Sequence, residues 1–204
     1  MYTRYIKRPL DFVLSLAGVI VLSPVLLVIV ICIKVSSPGP IFFKQKRVGI
    51  HKTHFNILKF RTMRIDTPKD VPTHLLENPD QYITGIGKFL RKTSLDELPQ
   101  LFNILKGDMA VIGPRPALWN QYDLIAERDR YGANDILPGL TGWAQINGRD
   151  ELEIDVKARL DGEYVQKMSF LFDCKCFFGT ITSVLHHDGV VEAGTGEIHR
   201  KEQK

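Results

Sequence analysis

The chain has 204 residues, 44% of them hydrophobic, and a formal net charge of +4 at pH 7. This size fits one domain with a buried core and a short appendage. The modest positive charge fits a protein that faces an anionic membrane or phosphate-bearing substrates, although a solvated basic face explains it too; no nucleic-acid-binding module is visible. Cys32, Cys174 and Cys176 form no disulfide framework, which indicates a reducing, cytosolic-facing compartment.

Residues 12–33 form an uncharged apolar run near the N-terminus. The run reaches the ~20 residues that a helix needs to cross a bilayer, and it is too long for a cleaved signal peptide. Ser23 and Pro24 lie near its middle, where proline predicts a kink. Basic residues flank both ends, so the positive-inside rule favours a re-entrant helix–break–helix with both ends cytoplasmic. From the residues alone, an ordinary kinked span is an equally good interpretation.

Two short strands are predicted after the membrane segment, at residues 41–48 and 54–61, joined through Gly49. Lys59 lies on the second strand, where a cation is typical of a solvated edge but is also a candidate for holding a phosphate. Residues 64–80 are rich in Pro, Asp and Thr, and they predict a loop that could act as a lid.

Helical patterns dominate the rest of the chain. Helices are predicted at residues 86–91 and 98–105, the second ended by Lys106 and Gly107, and another within residues 119–131. Residues 138–148 predict a glycine-rich turn with a short apolar piece. An apolar stripe at helical spacing from residue 170 to 185 indicates core packing or an interfacial membrane helix. The fold class is therefore α/β, mostly helical with a short β-hairpin, in a membrane-associated domain.

Asp96 and Glu97 are adjacent carboxylates in a segment that also carries cations and proline. Ser94 and Glu97 have the spacing of a capping box, and Asp96 could instead cap a helix with Pro99 in its first turn. A helix dipole and the nearby Arg91 and Lys92 would favour the ionised form of both carboxylates. Ionised carboxylates serve as metal ligands or nucleophiles, so a structural cap and a catalytic site are compatible interpretations.

Four motifs in one order give the chain a resemblance to a known family. From Tyr5 to about Leu185 the sequence resembles the bacterial initiating sugar transferases, the monotopic phosphoglycosyl transferase family. The segments that carry the resemblance are residues 94–100, 106–109, 112–116 and 138–149. The resemblance is to the small, catalytic-domain-only form, so the multi-span N-terminal region of larger members is not expected here.

The resemblance implies a two-step transfer at the bacterial inner membrane. Members move a sugar-1-phosphate from a UDP-sugar to polyprenyl (undecaprenyl) phosphate and release UMP, usually as the first membrane step of exopolysaccharide or glycoconjugate assembly. On matching positions, Asp96 would be the nucleophile that forms an aspartyl-phosphosugar intermediate. Glu97, together with Asp96, would hold Mg²⁺ as the expected cofactor.

Cationic and proline residues complete the predicted site. Arg115, between Pro114 and Pro116, matches the family's nucleotide-handling segment, and its guanidinium suits phosphate oxygens, although a structural salt bridge is the simpler interpretation. Lys59, Arg91 and Arg149 are further candidates for holding phosphates. Ser23 and Pro24 would shape the membrane-helix break, which the family resemblance favours over a span.

The expected organisation has three parts: residues 1–36 as the re-entrant membrane region, 37–187 as a cytosolic-facing catalytic domain with interfacial helices, and 188–204 as a tail. The expected partners are a UDP-sugar, polyprenyl phosphate and inner-membrane lipid, without nucleic acid; a homodimer stays open. Two other classes also stay open: a membrane-attached binding or scaffold protein, and a Mg²⁺-dependent nucleotide-sugar hydrolase or nucleotidyl transferase.

Overall fold

The structure, a computed structural model, describes residues 1–67, 81–148 and 152–186. Its helices are α1 (Lys7–Ser36), α2 (Gly85–Lys92), α3 (Gln100–Lys106), α4 (Tyr122–Asp129), α5 (Trp143–Ile146), α6 (Ile154–Lys167) and α7 (Phe170–His186). Its strands are β1 (Phe42–Val48), β2 (His54–Phe60), β3 (Ala110–Ile112) and β4 (Gly139–Thr141). The mostly helical class with a short hairpin is confirmed. The three-part division stays a prediction, and the tail lies outside the described residues.

Helix α1 continues without interruption through Pro24. Residues on both sides of Pro24 are thus helical, and the predicted membrane-helix break at Ser23 and Pro24 stays a prediction, because a helix can kink at proline while remaining helical. Proline at position 24 has no N–H to donate to the carbonyl of Ile20, one turn earlier, but the Ser23 hydroxyl donates to that carbonyl at 2.8 Å. A serine hydroxyl can satisfy a carbonyl that proline leaves free in this way. The re-entrant arrangement itself stays a prediction.

One face of α1 packs on the rest of the protein along most of the helix. Val19 and Leu22 contact a core cluster that contains Leu101 and Ile104 of α3. Further along the helix, Ile29 and Ile33 join a second cluster with Phe60 of β2 and Leu90 of α2. The other face is exposed and apolar; its members include Val13, Ile20, Val21, Leu27, Val28 and Val35. Together with the helical turn Tyr2–Ile6 that precedes it, α1 forms a stretch, Tyr2–Ser36, that is long and apolar enough to cross a membrane.

Strands β1 and β2 form an antiparallel hairpin whose register runs from Phe42 opposite Phe60 to Val48 opposite His54. The hairpin and the helices α2 and α3 are confirmed within two residues of the predicted bounds. The buried Arg61 guanidinium donates at 2.8 Å to the carbonyls of Ser37 and Pro38, which joins the end of β2 to the end of α1. The hairpin is thereby fixed to the C-terminal end of the membrane segment.

A short parallel pair, β3 and β4, was not predicted. Ala110 lies opposite Gly139, and Ile112 lies opposite Thr141. The predicted turn at residues 138–148 is wrong at its start, where β4 forms, and the predicted short apolar piece is the helix α5. The glycines reflect close backbone packing, because a Cβ on Gly142 would overlap the Gly113 carbonyl. Both strands end at the same edge, next to the loop that carries Arg115.

Polar contacts join α1, α6 and α7. The buried Tyr164 hydroxyl contacts the Ile112 carbonyl at 3.1 Å and the Asp173 carboxylate at 2.7 Å. Lys7 of α1 forms an ion pair with the same carboxylate at 2.6 Å. Helix α7 buries Cys176 but exposes other apolar side chains, so one side of the predicted stripe is core. The exposed members are Phe170, Leu171, Phe177, Phe178 and Ile181.

Candidate active site

Asp96 and Glu97 lie in a single 3-10 turn, Leu95–Glu97, between α2 and α3. Neither predicted cap is present. Ser94 has a left-handed backbone, with φ 55°, and accepts no capping hydrogen bond, whereas a capping residue normally has extended backbone. Helix α3 begins later, at Gln100, and has no side-chain cap, so Asp96 is not a capping residue. Helix capping therefore does not explain this carboxylate pair.

Glu97 is held by two cations from different parts of the fold. The Nζ of Lys59 on β2 lies 2.7 Å from Glu97 Oε1. Arg115, in the loop after β3, reaches Oε1 at 2.8 Å and Oε2 at 3.4 Å. Burial opposes ionisation, but Arg115 and Lys59 outweigh it and hold the pKa of Glu97 well below its usual range. Glu97 is therefore an anion, as the sequence predicts.

Asp96 behaves differently from its neighbour. It is 9% exposed, and this burial raises its pKa, a change that Glu97 reinforces. Lys59, Arg91 and Arg115 act in the opposite direction. The expectation that its surroundings favour the ionised form is wrong in direction for Asp96, because the sequence cannot show how deeply a side chain is buried. A desolvated carboxylate among cations is a suitable nucleophile for an electrophilic phosphorus.

The predicted cations converge on the carboxylate pair from three directions. Lys59 and Arg115 contact Glu97 directly, and Arg91 at the end of α2 interacts electrostatically with Asp96. Burial lowers the pKa of Arg91, whose Nε donates to the Thr62 hydroxyl at 2.9 Å. Lys59 is thus not on a solvated edge. Arg149, the remaining candidate, lies outside the described residues.

Pro114 and Pro116 hold the loop that carries Arg115. The Pro114 carbonyl accepts the Gly139 amide of β4 at 2.8 Å. The Pro116 carbonyl accepts a hydrogen bond from the Arg47 side chain of β1 at 3.0 Å. Pro114 and Pro116 therefore lie in a loop that is hydrogen-bonded to both β4 and β1. The salt bridge between Arg115 and Glu97, one of the two interpretations from the sequence, is present.

The carboxylate pair has suitable chemistry for a hard divalent cation. Mg²⁺ is commonly bound through one or two carboxylates together with substrate phosphates and water. Asp96 and Glu97 supply such oxygens, and the surrounding cations suit the phosphates. Within the described ranges, no three His, Cys, Asp or Glu side chains converge as a metal cage. The donor set therefore fits a metal that is shared with a diphosphate.

Two neighbouring residues of the site were not singled out in the sequence. Thr62 supports Arg91, and Asn103 of α3 binds the backbone of β2 close to Lys59. A buried Asn in a helix has no distinctive pattern in a single sequence, since exposed and buried Asn look alike. The place of Asn103 in the site depends on the packing of the hairpin against α3, which local sequence does not reveal.

Residues 2–187 match the model of the bacterial sugar transferase family. The chain is 41% identical over 186 residues to the UDP-glucose:undecaprenyl-phosphate glucose-1-phosphate transferase of Escherichia coli K12, covering 87% of this chain and 40% of that protein. It is 38% identical over 186 residues to the uncharacterized sugar transferase EpsL of Bacillus subtilis 168, covering 91% of this chain and 90% of that protein.

A third relative is the UDP-N-acetylgalactosamine-undecaprenyl-phosphate N-acetylgalactosaminephosphotransferase of Aeromonas hydrophila, 36% identical over 189 residues, with 89% of this chain and 44% of that protein covered. The chain thus spans less than half the length of the Escherichia and Aeromonas relatives and most of the Bacillus protein. The names of the relatives differ in the sugar.

Proposed function

The chain belongs to the bacterial sugar transferase family, and we propose that it transfers a sugar-1-phosphate from a UDP-sugar to undecaprenyl phosphate, releasing UMP. Relatives from Escherichia and Aeromonas carry names that describe sugar-phosphate transfer to this lipid. The observation that carries the proposal is the buried Asp96 beside Glu97, with Lys59, Arg91 and Arg115 around them. A scaffold protein would not need this arrangement.

The first step forms a covalent bond to the protein. A carboxylate oxygen of Asp96 attacks the phosphorus nearer the sugar, an O–P bond forms, and the bond from that phosphorus to the bridging oxygen breaks. UMP leaves with the bonding electron pair. In the second step, a phosphate oxygen of the lipid attacks the same phosphorus. The aspartyl O–P bond then breaks, which regenerates the Asp96 carboxylate and yields a lipid diphosphate that carries the sugar.

The surrounding cations suit each stage of this transfer. Lys59 and Arg115 neutralise Glu97. A bound diphosphate supplies anionic oxygens to the same cations, and the planar fork of Arg115 can bind two of them. Arg91 favours the ionised, nucleophilic form of Asp96 against the effect of burial. When Mg²⁺ is bound by Asp96 and Glu97, it neutralises charge on the leaving phosphate.

A membrane position follows from the surfaces of the protein. Apolar side chains cover the outer face of α1 and one side of α7, and a lipid acceptor must meet the site at a membrane. Contacts with the body of the protein extend along α1 from Arg8, whose guanidinium lies 3.5 Å from the Leu105 carbonyl, to Ile33. Because both ends of α1 contact the same body, these contacts favour a helix that enters and leaves through one leaflet. They disfavour a helix whose ends lie on opposite sides of the membrane. We place the body on the cytosolic face of the inner membrane.

The direct test is UMP release by the purified protein from a panel of UDP-sugars, with Mg²⁺ and undecaprenyl phosphate. If the proposal is correct, UMP release beyond the first turnover requires the lipid, and a lipid-linked sugar is formed. A nucleotide-sugar hydrolase would instead release UMP at the same rate without lipid and would form no lipid-linked sugar. The same panel identifies the sugar.

A further inference from the structure

Asn103 closes the open edge of β2. The register with β1 leaves the Leu58 amide and the Asn56 carbonyl pointing away from the hairpin. The Asn103 side chain accepts the Leu58 amide at 2.9 Å and donates to the Asn56 carbonyl at 2.9 Å. One amide side chain therefore makes the two hydrogen bonds that a third strand would make. It is 2% exposed and also contacts Asp108 at 3.3 Å.

These two bonds fix β2 relative to α3 beside the carboxylate pair. Lys59 directly follows Leu58, and its Nζ lies 2.7 Å from Glu97. Glu97 itself precedes α3 by three residues, so Asn103 lies on the helix that continues from the carboxylate turn. A shift of β2 along α3 would move Lys59 relative to Glu97. The flexible side chain of a lysine does not fix its own position. The place of Lys59 beside Glu97 therefore depends on how other residues hold the backbone of β2.

We propose that Asn103 is a positioning residue for the phosphate-transfer site, which sets Lys59 against Glu97 through its two hydrogen bonds to β2. This inference rests on the proposed function for its kinetic consequences but not for its geometry. Asn103 is buried and reaches the site through the backbone of β2. Its effect on catalysis passes through Lys59, which forms the ion pair with Glu97.

The test compares Asn103→Ala with Asn134→Ala. Asn134 is a matched control because it is also a buried Asn that donates to a carbonyl, of Ile125 at 2.8 Å, and to a carboxylate, of Asp129 at 2.7 Å. Both substitutions remove buried hydrogen bonds and lower the unfolding temperature. Only Asn103→Ala should accelerate hydrogen exchange at the Leu58 amide, a measurement that needs no substrate.

The kinetic arm compares kcat and KM for a UDP-sugar in the two variants. Lys59 loses its fixed place beside Glu97 in Asn103→Ala, so kcat/KM should fall by about tenfold, the scale of one hydrogen bond to a charged group. Asn134→Ala leaves β2 and Lys59 in place, and its kcat/KM should stay close to that of the unsubstituted protein.

A double variant separates positioning from general destabilisation. If Asn103 acts through Lys59, Asn103→Ala adds little to the kinetic loss of Lys59→Met, while its effect on the unfolding temperature persists. The inference is overturned by unchanged exchange at Leu58, by an equal loss of kcat/KM in Asn134→Ala, or by fully additive kinetic losses. If the chain transfers no sugar phosphate, unfolding temperatures still decide the inference. The stabilising coupling between Lys59 and Glu97, measured with Lys59→Met and Glu97→Gln, should shrink in the Asn103→Ala background and persist in Asn134→Ala.

Discussion

Lys59 and Glu97 are 38 residues apart in the sequence, yet Lys59 Nζ lies 2.7 Å from Glu97 Oε1. The pair joins the β-hairpin to the turn that carries both carboxylates. Because Glu97 also binds Arg115, a single carboxylate connects β2 with the loop after β3. If the phosphates of a substrate bind Lys59 and Arg115, both ion pairs of Glu97 must rearrange.

Asp96→Asn should abolish turnover and the covalent intermediate, because an amide cannot form the phosphate ester at a comparable rate. Intact-protein mass spectrometry after incubation with UDP-sugar and Mg²⁺, without lipid, measures the adduct. Asp123→Asn, on the exposed surface of α4, is the matched control and should retain it. A phosphosugar adduct that persists in Asp96→Asn would falsify the assignment of the nucleophile.

The same substitution should stabilise the protein at neutral pH. Burial raises the pKa of Asp96, so the folded state favours the protonated form, and ionisation at higher pH costs stability. Asparagine avoids that cost, and the unfolding temperature should rise by about 2–4 °C for each kcal/mol recovered. The difference should shrink as the pH falls towards that of an ordinary aspartate pKa. Thermal unfolding of both proteins in detergent from pH 4 to pH 8 measures it; a difference independent of pH contradicts the prediction.

Arg115→Lys should reduce kcat/KM for the UDP-sugar by about tenfold or more, the scale of ~1–3 kcal/mol for a charged hydrogen bond. Lysine keeps the charge but loses the planar fork, which here contacts both oxygens of Glu97. Arg130→Lys is the control, because Arg130 pairs with Glu127 on the exposed part of α4. Unchanged kinetic constants in Arg115→Lys would leave this residue with a structural role only.

A divalent metal should bind weakly to the protein alone and tightly together with a diphosphate. Glu97 is neutralised by Lys59 and Arg115, and a diphosphate would offer those cations other partners. Titration of Mn²⁺, followed by electron paramagnetic resonance, should show at least a tenfold gain in affinity when UDP is added, beyond that of UDP alone in solution. Glu97→Gln should lose most of this gain. Equally tight binding of Mn²⁺ without UDP would show that the metal site is formed by the protein alone.

The topology prediction concerns the N-terminus. If α1 is re-entrant, the cysteine in Thr3→Cys is not labelled by an impermeant reagent outside intact cells, and it becomes reactive after permeabilisation. The unsubstituted protein gives the background from its three native cysteines. Replacing Ser23 and Pro24 by Ala and Leu restores the missing N–H, and a mixed population is expected because Lys7 and Arg8 oppose translocation. External labelling of Thr3→Cys in the otherwise unaltered protein means that the helix already spans.

Local patterns predicted the elements that depend on local chemistry. The hairpin, α2 and α3 lie within two residues of their expected bounds, and Gly107 ends α3 with a φ of 106°. The family resemblance pointed to Asp96 and Glu97 as a candidate site. Periodicity could not show that the hydroxyl of Ser23 would keep the helix continuous at Pro24.

Properties that depend on distant contacts were not predictable. The parallel pairing of β3 with β4 joins three-residue strands, too short for a period-two pattern. The raised pKa of Asp96 reflects burial among residues from several elements, which no spacing reveals. Likewise, Asn103 reads as an ordinary helix residue until β2 is placed beside it.

The packing of α1 has a consequence for synthesis in the cell. This helix leaves the ribosome before α3, so the partners of Val19 and Leu22, which include Leu101 and Ile104, are not yet in the nascent chain when α1 emerges. During that interval, the face that later packs on α3 needs another apolar environment. The bilayer provides one, and the completed body must then displace lipid from this face. Insertion should therefore precede folding, so that α1 becomes the surface on which the remainder of the chain is assembled.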